Sequence, residues 1–573
     1  MKFVNKDRLF IILVFILALF LRLFLLSDFP PSLNRDEAAI GWNAYSILKT
    51  GKDEWGEKLP LSFKSFGDYK MPLYIYFTVP FIKIFGLNEF AVRFSSAFFG
   101  SLTVLLVYYL AKELFIKNSN PPAGGPKLQN SKQLKKLQNS KILKNPHYSL
   151  LITHYLPPTA AVLLAISPWH LFYSRVAFEA NLCLFLVLAG FVFFFLSFRK
   201  VWFLIFSALF WSLSFYTYSS AFIFLPPLVL TSLFLYKKEI FKKKRIMPVI
   251  LAILTFVIGF GHSFYSVWKV SLAKKAITVF SDPTLVDKFH HLRTEYYARN
   301  PILARIWFNR FFYFGRISFV NYLKTFSPKF LFISGGGHPW HSIPNFGNFY
   351  LIETVFLILG IFVWKKLKGK SKWFLLSWLV LAPLASAITV DAPHSTRSLT
   401  LIIPMLILIS LGIIQMFNFF KKKRQRIFIY CLLITVYSLL FTHFLYSYFC
   451  VYPRKLPGSL MYGLKEALVF VQNKNKDKKV VILNPPDSPY IYTLFHLKIN
   501  PNQFLDSVKR YGAGVDNFEH VRSFDGFEFL YRVPEEKSGF YILHAENRLD
   551  ESKVVRKIRD YKKDKTLFVV CEF

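Results

Sequence analysis

The chain has 573 residues, 54% of them hydrophobic and 19% aromatic, with 67 Phe. Apolar runs long enough to cross a bilayer recur along it, which excludes an ordinary soluble domain and indicates a multi-pass membrane protein. The formal charge of +39 would suggest a nucleic-acid ligand in a soluble protein. Here the Lys and Arg sit in short loops, where they set orientation and meet anionic lipid, so no nucleic-acid partner is expected.

Lys2, Lys6 and Arg8 precede the first apolar run, about 9–26, and place the N-terminus in the cytoplasm. That run carries Arg22 and has no evident small-residue cleavage site, so it reads as a retained anchor rather than a cleaved signal. Residues 27–92 follow as an exterior loop with seven basic and eight acidic side chains. Within this loop, LNRDEAAIGWNAY carries Asp36 and Glu37 about ten residues beyond the first span. The segment 71–86 is apolar but short, and Pro80 and Lys83 interrupt it. It reads as an interfacial helix along the outer leaflet.

Ten further spans are expected near 93–115, 151–168, 180–198, 201–217, 220–236, 246–265, 349–364, 373–390, 398–418 and 427–449. With the first run this makes about eleven. Segment 116–147 holds seven Lys, no acid and LQNSK twice, and reads as a disordered cytoplasmic insertion. The basic segments 237–245, 365–372 and 421–426 also belong to the cytoplasm. By this count 169–179, 266–348 and 391–397 share the outer face with 27–92. The fold class is therefore an α-helical polytopic membrane domain over 1–450, with a small soluble α/β domain outside the membrane over 451–573. That domain is expected to have strands at 479–483, 527–533, 539–545 and 566–573, and helices at 462–472 and 551–563. The four cysteines, at 183, 431, 450 and 571, form no CxxC pair or disulfide framework. Cys450–Cys571 is the one pairing left open.

Charged residues gather at the outer ends of these elements. Asp36 and Glu37 are followed by Asp68, Tyr69 and Lys70, then Arg93, Arg175, Glu179, His338, His341, His394 and Arg397. Each has a plain structural reading. Acids favour the first turn of any helix, and Lys70 can snorkel to the headgroups. Arg93 can anchor a helix end or pair with an acid. Asp391 can cap a helix, and the HxxH spacing of His338 and His341 is weak as a metal site without a third ligand. The plain readings do not explain why acids and bases from four distant loops share one face.

Transfer from a lipid phosphate needs such a set. The donor's polyprenyl chain stays in the bilayer with its phosphate at the interface. Lys70, Arg175, Arg397 and His394 are candidate cations for that phosphate and for its charge as it leaves. A carboxylate would take the proton of the acceptor hydroxyl. Trp42, Tyr45, Tyr69, Tyr74 and Trp169 are candidates to stack on the sugar or line a lipid groove.

The ordered motifs resemble a known family. They are the DE pair after the first span, Lys70-x-Pro72-Leu73-Tyr74, the F-G-x-x-E-F-x-x-R of Phe85–Arg93, and the S-P-x-H-x-x-Y-S-R of Ser167–Arg175. Over about 9–200 they are similar to the family 39 glycosyltransferases of the GT-C fold. These are relatives of protein O-mannosyltransferases and the lipid A aminoarabinose transferase, with a bacterial Rgt-type branch. The resemblance implies an integral membrane enzyme that moves a sugar from a polyprenyl-phosphate donor to a hydroxyl of a glycan, lipid or protein, with inversion. By motif position Asp36 takes the acidic catalytic role, Glu37 its neighbour's, and Lys70 the phosphate-contacting lysine's. Met71 stands where relatives often carry Pro, and Glu179 where many carry Asp.

The active site and the C-terminal domain are expected to face outward from the cytoplasmic (inner) membrane. No cofactor is required by this chemistry, and a divalent metal is left open. A flippase for lipid-linked oligosaccharides would instead show ionisable groups near the midplane and internal repeats. The spans are nearly free of acids, and no repeat relates the two halves. A receptor with a soluble sensor domain would leave the Asp36–Lys70–Arg175 set unexplained.

Overall fold

The computed structural model describes every residue except 1, 67, 117–145, 243–245, 272–277, 457–460, 475–478, 485–487, 513–519 and 548–549. The expected insertion 116–147 lies almost wholly outside the described residues. A helix occupies each expected span position. They are α1 (Lys2–Leu23), α4 (Glu89–Ile116), α5 (Pro146–Ile166), α7 (Glu179–Leu196), α8 (Phe203–Phe215), α9 (Ala221–Leu235), α10 (Ile246–Ser271), α14 (Glu353–Lys366), α15 (Lys370–Leu381), α16 (Ile402–Phe419) and α17 (Lys423–Tyr446). Among the described residues, five helices are long and apolar enough to cross a membrane by themselves, or six if α5 and the short α6 (Pro168–Ser174), bent by 58°, are one broken span. Among the rest, α8 and α9 are apolar but shorter, so length and composition of the described residues support fewer crossings than the eleven expected.

α16 is buried over most of its length and forms the bundle's centre. It crosses α14 closely because each helix offers a glycine. A Cβ on Gly360 would lie 1.9 Å from the Leu408 carbonyl oxygen, and one on Gly412 would lie 1.8 Å from that of Phe356. Small residues at such crossings let backbones approach where lipid supplies no hydrophobic drive.

Described residues within or flanking the basic segments 116–147, 237–245 and 365–372 meet at one end of the bundle. Lys370 Nζ is 2.7 Å from Glu239, Arg199 is 2.8 Å from Glu113, and Ser371 Oγ donates to the Leu114 carbonyl oxygen at 2.7 Å. The loops 27–92, 169–179, 266–348 and 391–397 gather at the other end. There lie α2 (Arg35–Thr50), the short hairpin β1–β2 (Phe63–Ser65, Asp68–Lys70) and α3 (Pro72–Phe85). The 266–348 loop contributes α11 (Pro283–Arg299), α12 (Pro301–Trp307) and α13 (Arg310–Thr325), with a small core of Val279, Phe289, Tyr313 and Phe314.

The C-terminal region is a seven-stranded mixed sheet in the order β4-β5-β6-β3-β7-β9-β8. Its strands are β3 (Val480–Leu483), β4 (Lys509–Arg510), β5 (Val521–Phe524), β6 (Phe527–Leu530), β7 (Phe540–His544), β8 (Val554–Arg559) and β9 (Thr566–Glu572). β3 runs parallel to β6 and β7, and the other pairs are antiparallel. Around it lie α18 (Leu464–Lys474), α19 (Pro489–His496) and α20 (Pro501–Ser507). The helix expected over 551–563 is the edge strand β8 instead. Val554 and Ile558 fit a helical spacing, but β9 offers a free edge, and pairing with it decides the conformation. The charged side chains of β8 stay exposed, as suits an edge strand. All four cysteines are free, so Cys450 and Cys571 are not bridged.

This sheet does not stand apart. Its core is continuous with α2 and α3 through Trp42, Ile75, Ile491, Phe495 and Phe504. Gly41 makes the junction possible, since a Cβ there would lie 2.5 Å from the Phe495 ring. Trp42 Nε1 donates to the Ile499 carbonyl oxygen at 3.4 Å, and its ring meets Phe504 edge-on at 5.1 Å.

Candidate active site

The start of α2 is set by a reciprocal cap. Asn34 Oδ1 accepts from the Glu37 amide at 2.9 Å, and Glu37 Oε2 accepts from the Asn34 amide at 3.1 Å. Glu37 is buried, and its Oε1 also accepts from Arg93 Nε at 3.0 Å and the Ala177 amide at 3.1 Å. Arg93 in turn donates to the carbonyl oxygens of Leu26, Pro30 and Ser32 at 3.1, 2.9 and 2.8 Å. One buried ion pair thus ties the end of the first span to α2, α4 and the 169–179 turn. Glu37, expected beside Asp36 in the catalytic pair, is buried with both carboxylate oxygens hydrogen-bonded. Arg93 is likewise a structural anchor, as one of its plain readings held.

Asp36, one position earlier, points the other way. Its side chain is 38% exposed and accepts from Lys70 Nζ at 2.7 Å. Lys70 closes the β1–β2 hairpin, opposite Phe63, and is itself only 5% exposed. Burial pushes the Asp36 carboxyl up, but the Lys70 ion pair and hydrogen bond, then Arg35 and His341, outweigh it and hold it below the usual aspartate value. The carboxylate is therefore ionised, partly open and gripped on one side by an ammonium.

The other loops reach this pair through His341. Its ring is 4.6 Å from that of His394 and 5.2 Å from that of His338. Arg397 is ion-paired with Asp391 and donates to Thr389 Oγ1 at 3.1 Å. His394, the expected phosphate-binding histidine, is buried. Burial, then the neighbouring Arg397 and His341, drive its pKa well below the usual histidine value, so the ring is neutral near pH 7. Its Nε2 lies 3.3 Å from Asp391.

Arg175 is another of the expected phosphate-binding cations. It is buried, donates to the carbonyl oxygens of Leu21, Arg22 and Leu25 at 2.8, 3.2 and 3.4 Å, and lies over the Tyr448 and Phe449 rings. It caps the C-terminal end of α1. Glu179 opens α7, half-buried, where its charge acts on Tyr74, and it shares Tyr218 with Arg397. Tyr69 is half-buried in β2 opposite Lys64. Asp68 pairs with Ser65 in that hairpin, and its side chain lies outside the described residues.

The aromatic candidates divide similarly. Trp42, Tyr74 and Trp169 are buried in packing and unavailable to a sugar, whereas Tyr45 is half-buried beside Lys49. The sequence reading passed over Arg35, Trp340, Tyr173 and Thr396. Arg35 lies over Trp340 at 5.8 Å and over Phe66 at 5.6 Å. The available signals were an arginine directly before the DE pair and an aromatic inside HPWH. Among the described residues no group of three or more His, Cys, Asp or Glu is arranged to hold a metal ion.

Residues 12–119 match the family described as dolichyl-phosphate-mannose-protein mannosyltransferase. The whole chain superposes on ArnT from Cupriavidus metallidurans in the apo state, with a TM-score of 0.51 at 11% identity, covering 100% of this chain and 98% of that one. At this identity the likeness is one of fold, which the chain shares with ArnT over its whole length. ArnT bound to undecaprenyl phosphate gives the same TM-score of 0.51 at 10% identity, with 99% and 98% covered. The archaeal oligosaccharyltransferase AglB from Archaeoglobus fulgidus gives 0.47 at 11% identity, with 85% of this chain covered. The chain spans 63% of AglB's length. No curated protein matches the chain. Within the GT-C frame, the Asp36–Lys70 pair lies inside the segment that carries the family match.

Proposed function

We propose that this protein transfers a sugar from a polyprenyl-phosphate donor to a hydroxyl acceptor, on the outer face of the cytoplasmic membrane. The observation that carries the reading is the partly exposed Asp36 carboxylate held 2.7 Å from the buried Lys70 ammonium. A GT-C relative captured with undecaprenyl phosphate supports a donor of this class.

In this reading Asp36 takes the proton of the acceptor hydroxyl. The acceptor oxygen bonds to the anomeric carbon from the face opposite the phosphate. The anomeric carbon–oxygen bond to phosphate breaks, and the polyprenyl phosphate leaves with the electron pair, giving inversion. Lys70 and Arg397 stabilise that leaving charge. Trp340 offers an aromatic face to the sugar. Glu37, Arg93 and Arg175 hold the frame and touch neither substrate.

The test is a transfer assay on purified full-length protein with radiolabelled polyprenyl-phosphate sugars and membrane extract as acceptor source. Wild type should consume one donor, and Asp36→Asn should lose about 100-fold or more in rate while keeping its fold. Full activity in Asp36→Asn would remove Asp36 from the mechanism. No turnover of any donor would overturn the reading.

A further inference from the structure

Tyr173, Thr396 and His341 form a hydrogen-bond chain whose direction follows from what each atom can donate. The Tyr173 hydroxyl lies 3.0 Å from the His341 carbonyl oxygen and 2.8 Å from Thr396 Oγ1. A carbonyl oxygen only accepts, so making that contact commits the single Tyr173 proton to it. The Thr396 hydroxyl must then donate to Tyr173. Its oxygen is left with lone pairs for His341 Nδ1, 3.1 Å away. That last contact is a hydrogen bond only when Nδ1 carries the ring proton. The reverse direction would leave the His341 carbonyl without the Tyr173 proton.

The ring is neutral. Burial, then His338, bring its pKa down to about 4. A neutral imidazole protonated on Nδ1 carries a lone pair on Nε2. Among the described residues nothing hydrogen-bonds to that nitrogen, and the ring is half-buried rather than sealed. Asp36 and His341 are close enough for each to act on the other's charge. His394 is set oppositely: its Nδ1 accepts from the Thr396 amide at 3.2 Å, which leaves its proton on Nε2, facing Asp391. Thr396 thus sets both rings, one through its hydroxyl and one through its amide.

We propose that His341 Nε2 is the acceptor for a substrate hydroxyl beside Asp36, held in that tautomer by Tyr173 and Thr396. His341 is then a positioning residue that orients a polyol and discriminates by hydroxyl placement. A site built to bond a hydroxyl strongly disfavours an analogue lacking it, because its own polar group is left unpaired. The proposal rests on the sugar-transfer reading above. The hydroxyl belongs either to the transferring sugar or to the acceptor, and the two sources separate kinetically.

The experiment uses the full-length protein in lipid bilayers, with 15N-histidine NMR for the tautomer and transfer kinetics for the role. Wild type should show an unprotonated Nε2 signal that disappears in His341→Asn. Tyr173→Phe frees the Thr396 proton for Nδ1 and should move the proton to Nε2. His341→Asn retains a donor near Nδ1 but no acceptor at Nε2. It should raise one KM about tenfold or more with its melting temperature kept, that of the donor or that of the acceptor according to the source. His341→Gln, which restores an oxygen near Nε2, should recover part of that loss. A protonated Nε2 in wild type would overturn the proposal, as would both KM values unchanged in a folded His341→Asn protein whose wild type transfers normally. A wild type that transfers no sugar would overturn the transfer reading and the substrate role with it, while the NMR signal would still judge the relay separately.

Discussion

Glu37→Gln separates the buried anchor from Asp36, the carboxylate proposed as the base. The Glu37 carboxylate accepts four hydrogen bonds, two from Arg93 and one each from the amides of Asn34 and Ala177. Gln supplies one oxygen, so its amide nitrogen must confront two of those donors. The buried Arg93 guanidinium also loses its counter-charge. Breaking such a pair costs about 3–5 kcal/mol, and the carbonyl oxygens around Arg93 favour the lower end, roughly a hundredfold in the folded-to-unfolded ratio. Asp36→Asn should behave differently, because the Asp36 side chain is 38% exposed and Asn keeps an acceptor for Lys70. Its stability loss should lie between that of an exposed pair, about 1 kcal/mol, and that of a buried one, because Lys70 is only 5% exposed. The assay is the loss of the folded-protein peak on size-exclusion chromatography after heating, run on both variants and wild type in one detergent. The expected order of melting is wild type highest, then Asp36→Asn, then Glu37→Gln lowest. Glu37→Gln melting with wild type would refute the anchoring argument.

Two further outcomes follow from the junction between α2 and the C-terminal sheet. Gly41→Ala would set a methyl 2.5 Å from the Phe495 ring and 2.6 Å from Val92. The overpacking should cost about 1–3 kcal/mol and speed limited proteolysis of the region after residue 450, and an unchanged digestion rate would count against it. Glu54 is buried, hydrogen-bonded to Asn43 Nδ2 and the Tyr490 hydroxyl, both at 3.1 Å, and burial pushes it up to about 7. A raised acid favours the fold in its protonated form. That contribution is fully present below the unfolded value of 4.5 and is lost as pH rises to about 7. The melting temperature should therefore carry a downward slope between about pH 5 and 7 that Glu54→Gln flattens, and an identical slope in the variant would refute the assignment.

Hydropathy and charge along the chain were enough to mark a multi-pass membrane protein and to locate its helices. Membrane partition is decided by short stretches of chain, so apolar runs and Lys/Arg-rich loops can be read without knowing what packs on what. The grouping of Asp36, Lys70, His341 and Arg397 at one end of the bundle followed from the same reasoning, because loops on one side of a bilayer share a face. The strand at 554–559 was not legible, since only the free edge of β9 selects it. The roles of Asp36 and Glu37 were not legible either. Adjacent helix positions point about 100° apart, and which of them is buried depends on Arg93 and Ala177, which lie 56 and 140 residues away. Trp42 shows the same limit. Its spacing behind the acidic pair suits a sugar-stacking ring, but the C-terminal sheet packs over it. Charge and hydropathy are properties of the local chain, whereas burial and tautomer belong to neighbours that only the folded structure brings into contact.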